Sequence, residues 1–254
     1  MIQKLEVRTR MKRASRWLRR VVATLMCLLC IAWVLAEASQ WLLRWEAQRL
    51  LEDLMSIQVG HSTLAEAQSN LARWRKWGTV VEGCHGGDDS TCYFYVTLRS
   101  RLPQIFRGNP EDGGHNWLPR IIDFVGLRYS AVGAGVSSEH DVVTSKSYSE
   151  EVDLPMRDWY LRGGAYVPSL AVSSSEVIQF REYEQRLAAL SHPFRIARRE
   201  KGPYGLDVKF LLGESKPERA KLMDFRFSCI TQFFPCSNEG EILLSGAQLL
   251  DQEE

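Results

Sequence analysis

Residues whose types and spacing could do chemistry are few and scattered in this 254-residue chain. Gly60-His61-Ser62-Thr63-Leu64 comes close to the G-x-S-x-G nucleophile elbow, which holds a serine up on a tight strand-to-helix turn. The fifth position of that motif must be small, and here it is Leu64, so the same residues read better as a helix start. Asp88 and Asp89, with His85 nearby, could hold a divalent cation or serve an extracytoplasmic hydrolase or transferase. Set after Gly86-Gly87 and before Ser90, the pair equally has the composition of a solvated turn. His61, His85, His115, His140 and His192 stand singly and form no H-E-x-x-H, and Gly133-x-Gly135 lacks the third glycine of a dinucleotide fingerprint. Arg198-Arg199-Glu200-Lys201 reads as a solvated loop, while Tyr93, Tyr95 and Trp117 read as packing that could also line a groove. No catalytic residue, cofactor or metal set is nominated. The expectation is a non-catalytic binding or interaction module, with the hydrolase or transferase on Asp88, Asp89 and His85 as the alternative.

Six cysteines carry more information. Cys27 and Cys30 have the C-x-x-C spacing of a redox motif, but they sit in an apolar run with no βαβ context. The other four, Cys84, Cys92, Cys229 and Cys236, lie outside it. Their short intervals favour Cys84 with Cys92 and Cys229 with Cys236, although four cysteines allow three connectivities. Structural zinc pairs are two to four residues apart, whereas seven and six residues separate these. Disulfides persist in oxidising compartments.

What must position these residues begins with a membrane segment. Val21 to Ala36 is sixteen residues without a charge, a little short of the roughly 20 that cross a bilayer. Trp17 and Leu18 extend it behind Arg19 and Arg20, whose long side chains reach back to the phosphates. Trp17, Trp33, Trp41 and Trp45 fall near its ends, where indole rings favour the interface. Residues 1–20 hold eight Lys/Arg against one acid, and the rest hold 24 against 30. Positive charge stays cytoplasmic, so the N-terminus is expected inside and the body outside. A basic head on an acidic body also excludes a nucleic-acid binder, which carries its charge on the folded domain. Ala36-Glu37-Ala38 offers a signal-peptidase site. Leu43, Ala47, Leu50, Leu51 and Leu54 continue the helical spacing past it, so an uncleaved anchor is preferred. The expected lipid contact is this helix, and the expected protein partner an envelope protein.

The body is expected over 57–254, after a basic cytoplasmic head (1–20), the transmembrane helix (21–36) and a juxtamembrane helix (37–56). Thr63 and Glu66 form a capping box, and Leu64, Ala67, Leu71, Trp74 and Trp77 give the helix it opens an apolar face. Strands are expected over Thr79–Cys84, Thr91–Leu98, Ile121–Val136 (with a bulge or bend at Gly133 and Gly135), Asp141–Val152, Tyr166–Val172, Leu206–Leu212 and Leu222–Ile230. In the last, Met223, Phe225, Phe227 and Cys229 alternate with polar residues. Glu176–Leu190 has helical spacing, Arg101–Pro119 reads as a long loop, and Ser237–Glu254 as a tail with one helical turn. The fold class is α+β: one N-terminal transmembrane helix, then an extracytoplasmic, mostly antiparallel sheet with two or three helices.

The run Ile57-Gln58-Val59-Gly60-His61-Ser62-Thr63-Leu64-Ala65-Glu66-Ala67, followed by a helix and two strands, resembles the opening of SmpA/OmlA-type envelope modules over about 40 residues. The lipid-modified cysteine of that family is absent here. The chain as a whole resembles single-span bacterial envelope proteins with a basic head and a cysteine-bearing α+β body. The resemblance implies location rather than activity.

Overall fold

The computed structural model describes residues 2–85, 91–100, 129–153, 169–178, 194–199, 204–212, 215–231, 236 and 239–243; the side chains of 2–16, 85, 153, 169, 194–199, 204, 205 and 239 lie outside that description. Helix α1 (Ile2–Ser56) passes through the basic head, the apolar span and the juxtamembrane segment without a break. Its 55 residues reach roughly 80 Å at about 1.5 Å each. The stretch from Trp17 on is long and apolar enough to cross a membrane. From Trp17 to Leu35 every side chain is exposed, and then the pattern changes within one residue: Leu35 is 59% exposed and Ala36 is 2%. Gln40, Leu43, Glu46, Ala47, Leu50 and Leu54 are buried after it at three- and four-residue steps. The segment drawn as juxtamembrane, 37–56, is therefore the first helix of the body's own core. A boundary at 57 divides what the packing joins.

Among the described residues seven strands form one sheet: β1 (Thr79–His85), β2 (Thr91–Arg99), β3 (Ser130–Glu139), β4 (Val142–Asp153), β5 (Ser169–Val177), β6 (Phe194–Arg199) and β7 (Tyr204–Leu211). Their order is β1-β2-β3-β4-β5-β7-β6. Neighbours are antiparallel except β5 and β7, which run parallel. His140 and Asp141 turn β3 into β4, both at positive φ, as a two-residue hairpin matching the strand twist requires. Strand alternation makes two unlike faces. Phe94, Val96, Leu98, Val132, Ala134, Val136, Tyr148, Val152, Leu170, Val172, Leu206, Val208 and Phe210 are buried on one of them, under the helices. On the other, Ser147, Ser149, Ser173 and Ser175 are half-buried, and the Tyr95 ring lies across Gly133 and Gly135, reaching Ser149 Oγ at 2.8 Å. The two glycines serve that close approach rather than a bulge, since any Cβ there would collide with the ring. The register shift of β3 comes later, between Ser137 and Ser138.

Above the buried face lie the second half of α1, α2 (Leu64–Ala72) with a 3₁₀ turn (Arg73–Lys76), and three short helices: α3 (Lys216–Leu222), α4 (Ser228–Thr231) and α5 (Glu239–Ile242). The capping box forms as spaced: Glu66 N–H donates to Thr63 Oγ1 and Thr63 N–H to the Glu66 carboxylate. Other expectations change. Glu176 and Val177 belong to β5, with 179–190 outside the described residues, and Arg198-Arg199 close strand β6 instead of lying in a loop. Leu222–Ile230 is no strand. It holds the end of α3, one bridge from Phe225 to Leu243, and α4. Met223, Phe225, Phe227 and Cys229 are all buried, so the alternation is real. It arises from a short connection lying against the core, without a ladder of paired neighbours. The loop 101–119 and residues 121–128 lie outside the described residues.

Cys84 and Cys92, directly opposite across β1 and β2, are bonded, as are Cys229 and Cys236 beside α4. Each closes a short loop, with sequence separations of 8 and 7, and should contribute roughly 2–3 kcal/mol. Replacing both members of one pair by serine should lower the thermal midpoint of the full chain in nanodiscs. Cys229→Ser/Cys236→Ser should lower it more, because those two side chains are buried and leave hydroxyls in an apolar site. Scanning calorimetry of the two double variants checks both the loss and its order.

Candidate functional site

The inward face of β4 departs from the apolar rule that governs its neighbours. Lys146, Tyr148 and Glu150 share parity with the buried Val152, so strand geometry aims all three into the core beneath α1. Opposite them on β5 stand Glu176, Ser174 and Val172. Each of these polar side chains but one makes at least one bond, although Arg219 Nε beside them is buried with no partner among the described residues. Lys146 Nζ pairs with Glu176 Oε2 at 3.1 Å and donates to the Ile57 carbonyl at 2.8 Å, just past the end of α1. Arg219 of α3 holds the other Glu176 oxygen at 2.9 Å. Ser174 Oγ donates to the Leu222 carbonyl at 2.6 Å. The Tyr148 hydroxyl donates to the Ala47 carbonyl of α1 at 3.1 Å, and its ring packs edge-on against Phe225, with centroids 4.8 Å apart.

Glu150 is the exception. It is 0% exposed, and neither carboxyl oxygen makes a hydrogen bond among the described residues. Burial pushes its pKa up to about 8, while the Arg44 guanidinium on α1 opposes the shift. Arg44 itself donates to Thr231 Oγ1 on α4 at 3.1 Å. Burial, then Glu150 and then Tyr95, raises the Tyr148 hydroxyl well above its ordinary value, so it remains a donor to Ala47 at physiological pH. Gln40 and Glu46 complete the buried polar residues of α1. The result is a polar seam between one helix and two central strands. Its central members, Lys146, Tyr148, Glu150 and Glu176, are buried, so its evident work is to fix α1 on the sheet.

The residues nominated from sequence fall elsewhere. Asp88 and Asp89 lie outside the described residues, as does Trp117, and of His85 only the backbone is described, as the last residue of β1. Among the described residues no group of three His, Cys, Asp or Glu side chains could hold a metal ion. Ser62 Oγ accepts the Gln58 N–H at 3.1 Å and its carbonyl accepts Val143 N–H, while Gly60 turns the chain at φ +81°. The elbow-like run is a helix start stitched to the beginning of β4. Tyr93 and Tyr95 are half-buried on the serine-bearing face. Sequence reasoning missed the seam, although a signal was there: Lys146 and Glu150 occupy the inward parity of Asp141–Val152.

Two outcomes follow from this chemistry. Folded Glu150 keeps its proton from its ordinary value of 4.5 to about 8, a window in which the unfolded chain has shed it. Stability should therefore fall as pH rises through that window, by about 1.4 kcal/mol per unit. Glu150→Gln should flatten that slope, and melting curves at pH 5, 7 and 9 that stay parallel to the parent's would contradict the assignment. Glu176→Gln strands Lys146 and should cost about 3–5 kcal/mol, read by the same melts.

Comparison with known proteins finds no matching family model, no matching curated protein and no matching solved structure.

Proposed function

We propose that the protein is a single-pass membrane protein of the cell envelope, whose α+β body is a non-catalytic interaction module held in fixed orientation on the extracytoplasmic side. The observation that carries this reading is the continuity of α1: exposure on every side ends at Leu35 and core packing begins at Ala36, with no linker between. A catalytic domain needs a tether only for location, and a flexible one suffices. An anchor built into the core instead sets height and orientation, which matter when the body must meet a partner at the membrane. The basic head supports a cytoplasmic N-terminus. Two disulfides support an oxidising compartment for the body. The partner expected on these grounds is another envelope protein.

A signal peptidase cutting after Ala38 would divide α1 between Ala36 and Gln40, both part of its buried face. This supports retention of the segment. The mature protein extracted from membranes should keep residues 1–38, and an intact mass beginning at Ser39 would replace the anchored module with a secreted one. A reporter fused after Glu254 should be active only outside the cytoplasm. Cytoplasmic activity of that fusion would overturn the orientation and the function built on it.

A further inference from the structure

Beyond the span, α1 has two opposed faces. At about 100° per residue, Ala36, Gln40, Leu43, Ala47 and Leu50 fall on the side that packs on the sheet, and all are buried. Ala38, Trp41, Leu42 and Trp45 fall on the opposite side and are exposed, Trp41 by 57% and Trp45 by 54%. The exposed side then turns polar, with Gln48, Arg49 and Glu52 following Trp45. The apolar outer surface of the helix therefore runs from Trp17 to Trp45. That is about 42 Å of helix, close to the roughly 40–45 Å of a bilayer with its headgroups. The helix thus carries apolar surface for the headgroup layer on the very side that the body leaves uncovered.

We propose that the Trp41–Leu42–Trp45 face of α1 lies in the headgroup layer of the bilayer that α1 spans, so that this stretch of helix is sandwiched between membrane and sheet. The inference rests on the spanning reading above. Trp41 and Trp45 follow Leu35 by about 9 and 15 Å of helix. Upright, the helix holds Trp45 only at the outer edge of the headgroups. Leaning toward this face by roughly 30°, within the ordinary range for membrane helices, lowers both rings and leaves the sheet-bearing face uppermost. The chemistry of the face fits phospholipid. Indole rings favour the interface, and two guanidiniums stack on them, Arg44 at 5.1 Å from Trp41 and Arg49 at 5.8 Å from Trp45, Arg44 also bonded to Thr231 and Arg49 paired with Glu52. A second copy of the chain would offer this face no such match of length to bilayer depth.

The test uses the full chain labelled with 5-fluorotryptophan, in nanodiscs of phosphatidylethanolamine and phosphatidylglycerol carrying a nitroxide on the lipid headgroup. Trp41→Phe and Trp45→Phe assign the two fluorine signals. Both signals should be lost to the nitroxide. The signal of Trp74, buried and bonded to Asp53 well along α1, should survive. Survival of the Trp41 and Trp45 signals while those of Trp17 and Trp33 are lost would overturn the proposal and leave the span intact. Survival of all four would overturn the span itself. Crosslinking of two copies through Trp45→Cys, with the Trp41 signal surviving, would also overturn the proposal and give the face to a second copy.

Discussion

The backbone hydrogen-bond ladder of α1 is the constraint on which the rest of the molecule depends. In hydrocarbon no water can satisfy a peptide N–H or C=O, so a spanning segment has to be helical. Here the same ladder continues past the apolar run to Ser56 with no glycine or proline to interrupt it. One element therefore serves two environments, with leucine and valine exposed along the first half and a leucine-alanine stripe buried along the second. The sheet packs against the second half of that same rod.

Apolar packing alone would hold such a rod loosely in register, because leucine side chains tolerate sliding by a turn. The polar seam supplies what packing lacks. Arg44 on Thr231, Tyr148 on Ala47 and Lys146 on Ile57 fasten the helix and the residue after it at three points along fourteen residues, one to α4 and two to β4. Burying an ion pair such as Lys146–Glu176 gives little net stability, and its value lies in penalising every alternative alignment. Glu150 belongs to the same logic from the other side. A carboxyl without a bonding partner is tolerated because it stays protonated, and holding that proton costs progressively more as pH rises from 4.5 to its raised pKa of about 8. The Cys229–Cys236 bond adjoins α4, which receives Arg44, so one covalent link reinforces one end of the seam.

Much of this was legible in the residues. The period of three and four carried Leu43 to Leu54 past the span, Thr63 and Glu66 announced their cap, and alternation gave β2, β4 and β7 within two or three residues of their ends. The failures have a common cause. Alternation reports which side chains are buried and says nothing about whether a neighbouring strand exists to pair with, so Met223 to Cys229 misled. Charge misled in the same way at Arg198-Arg199, since an edge strand carries charge as readily as a loop does. The seam was the hardest to see. The parity of Lys146 and Glu150 with Tyr148 and Val152 points inward, but their partners on β5 and α1 are a tertiary fact.

The absence of any linker between span and body carries a geometric consequence. Helical symmetry ties rise to rotation, so each residue added at the junction of Leu35 and Ala36 would move the body by about 1.5 Å along the helix axis and swing it by about 100° around that axis. Seven added residues make nearly two full turns and return it to almost its starting bearing, about 10 Å further along. The compass heading of the body relative to the exposed apolar half of α1 is thus written in residue count, with a periodicity that a flexible tether would erase.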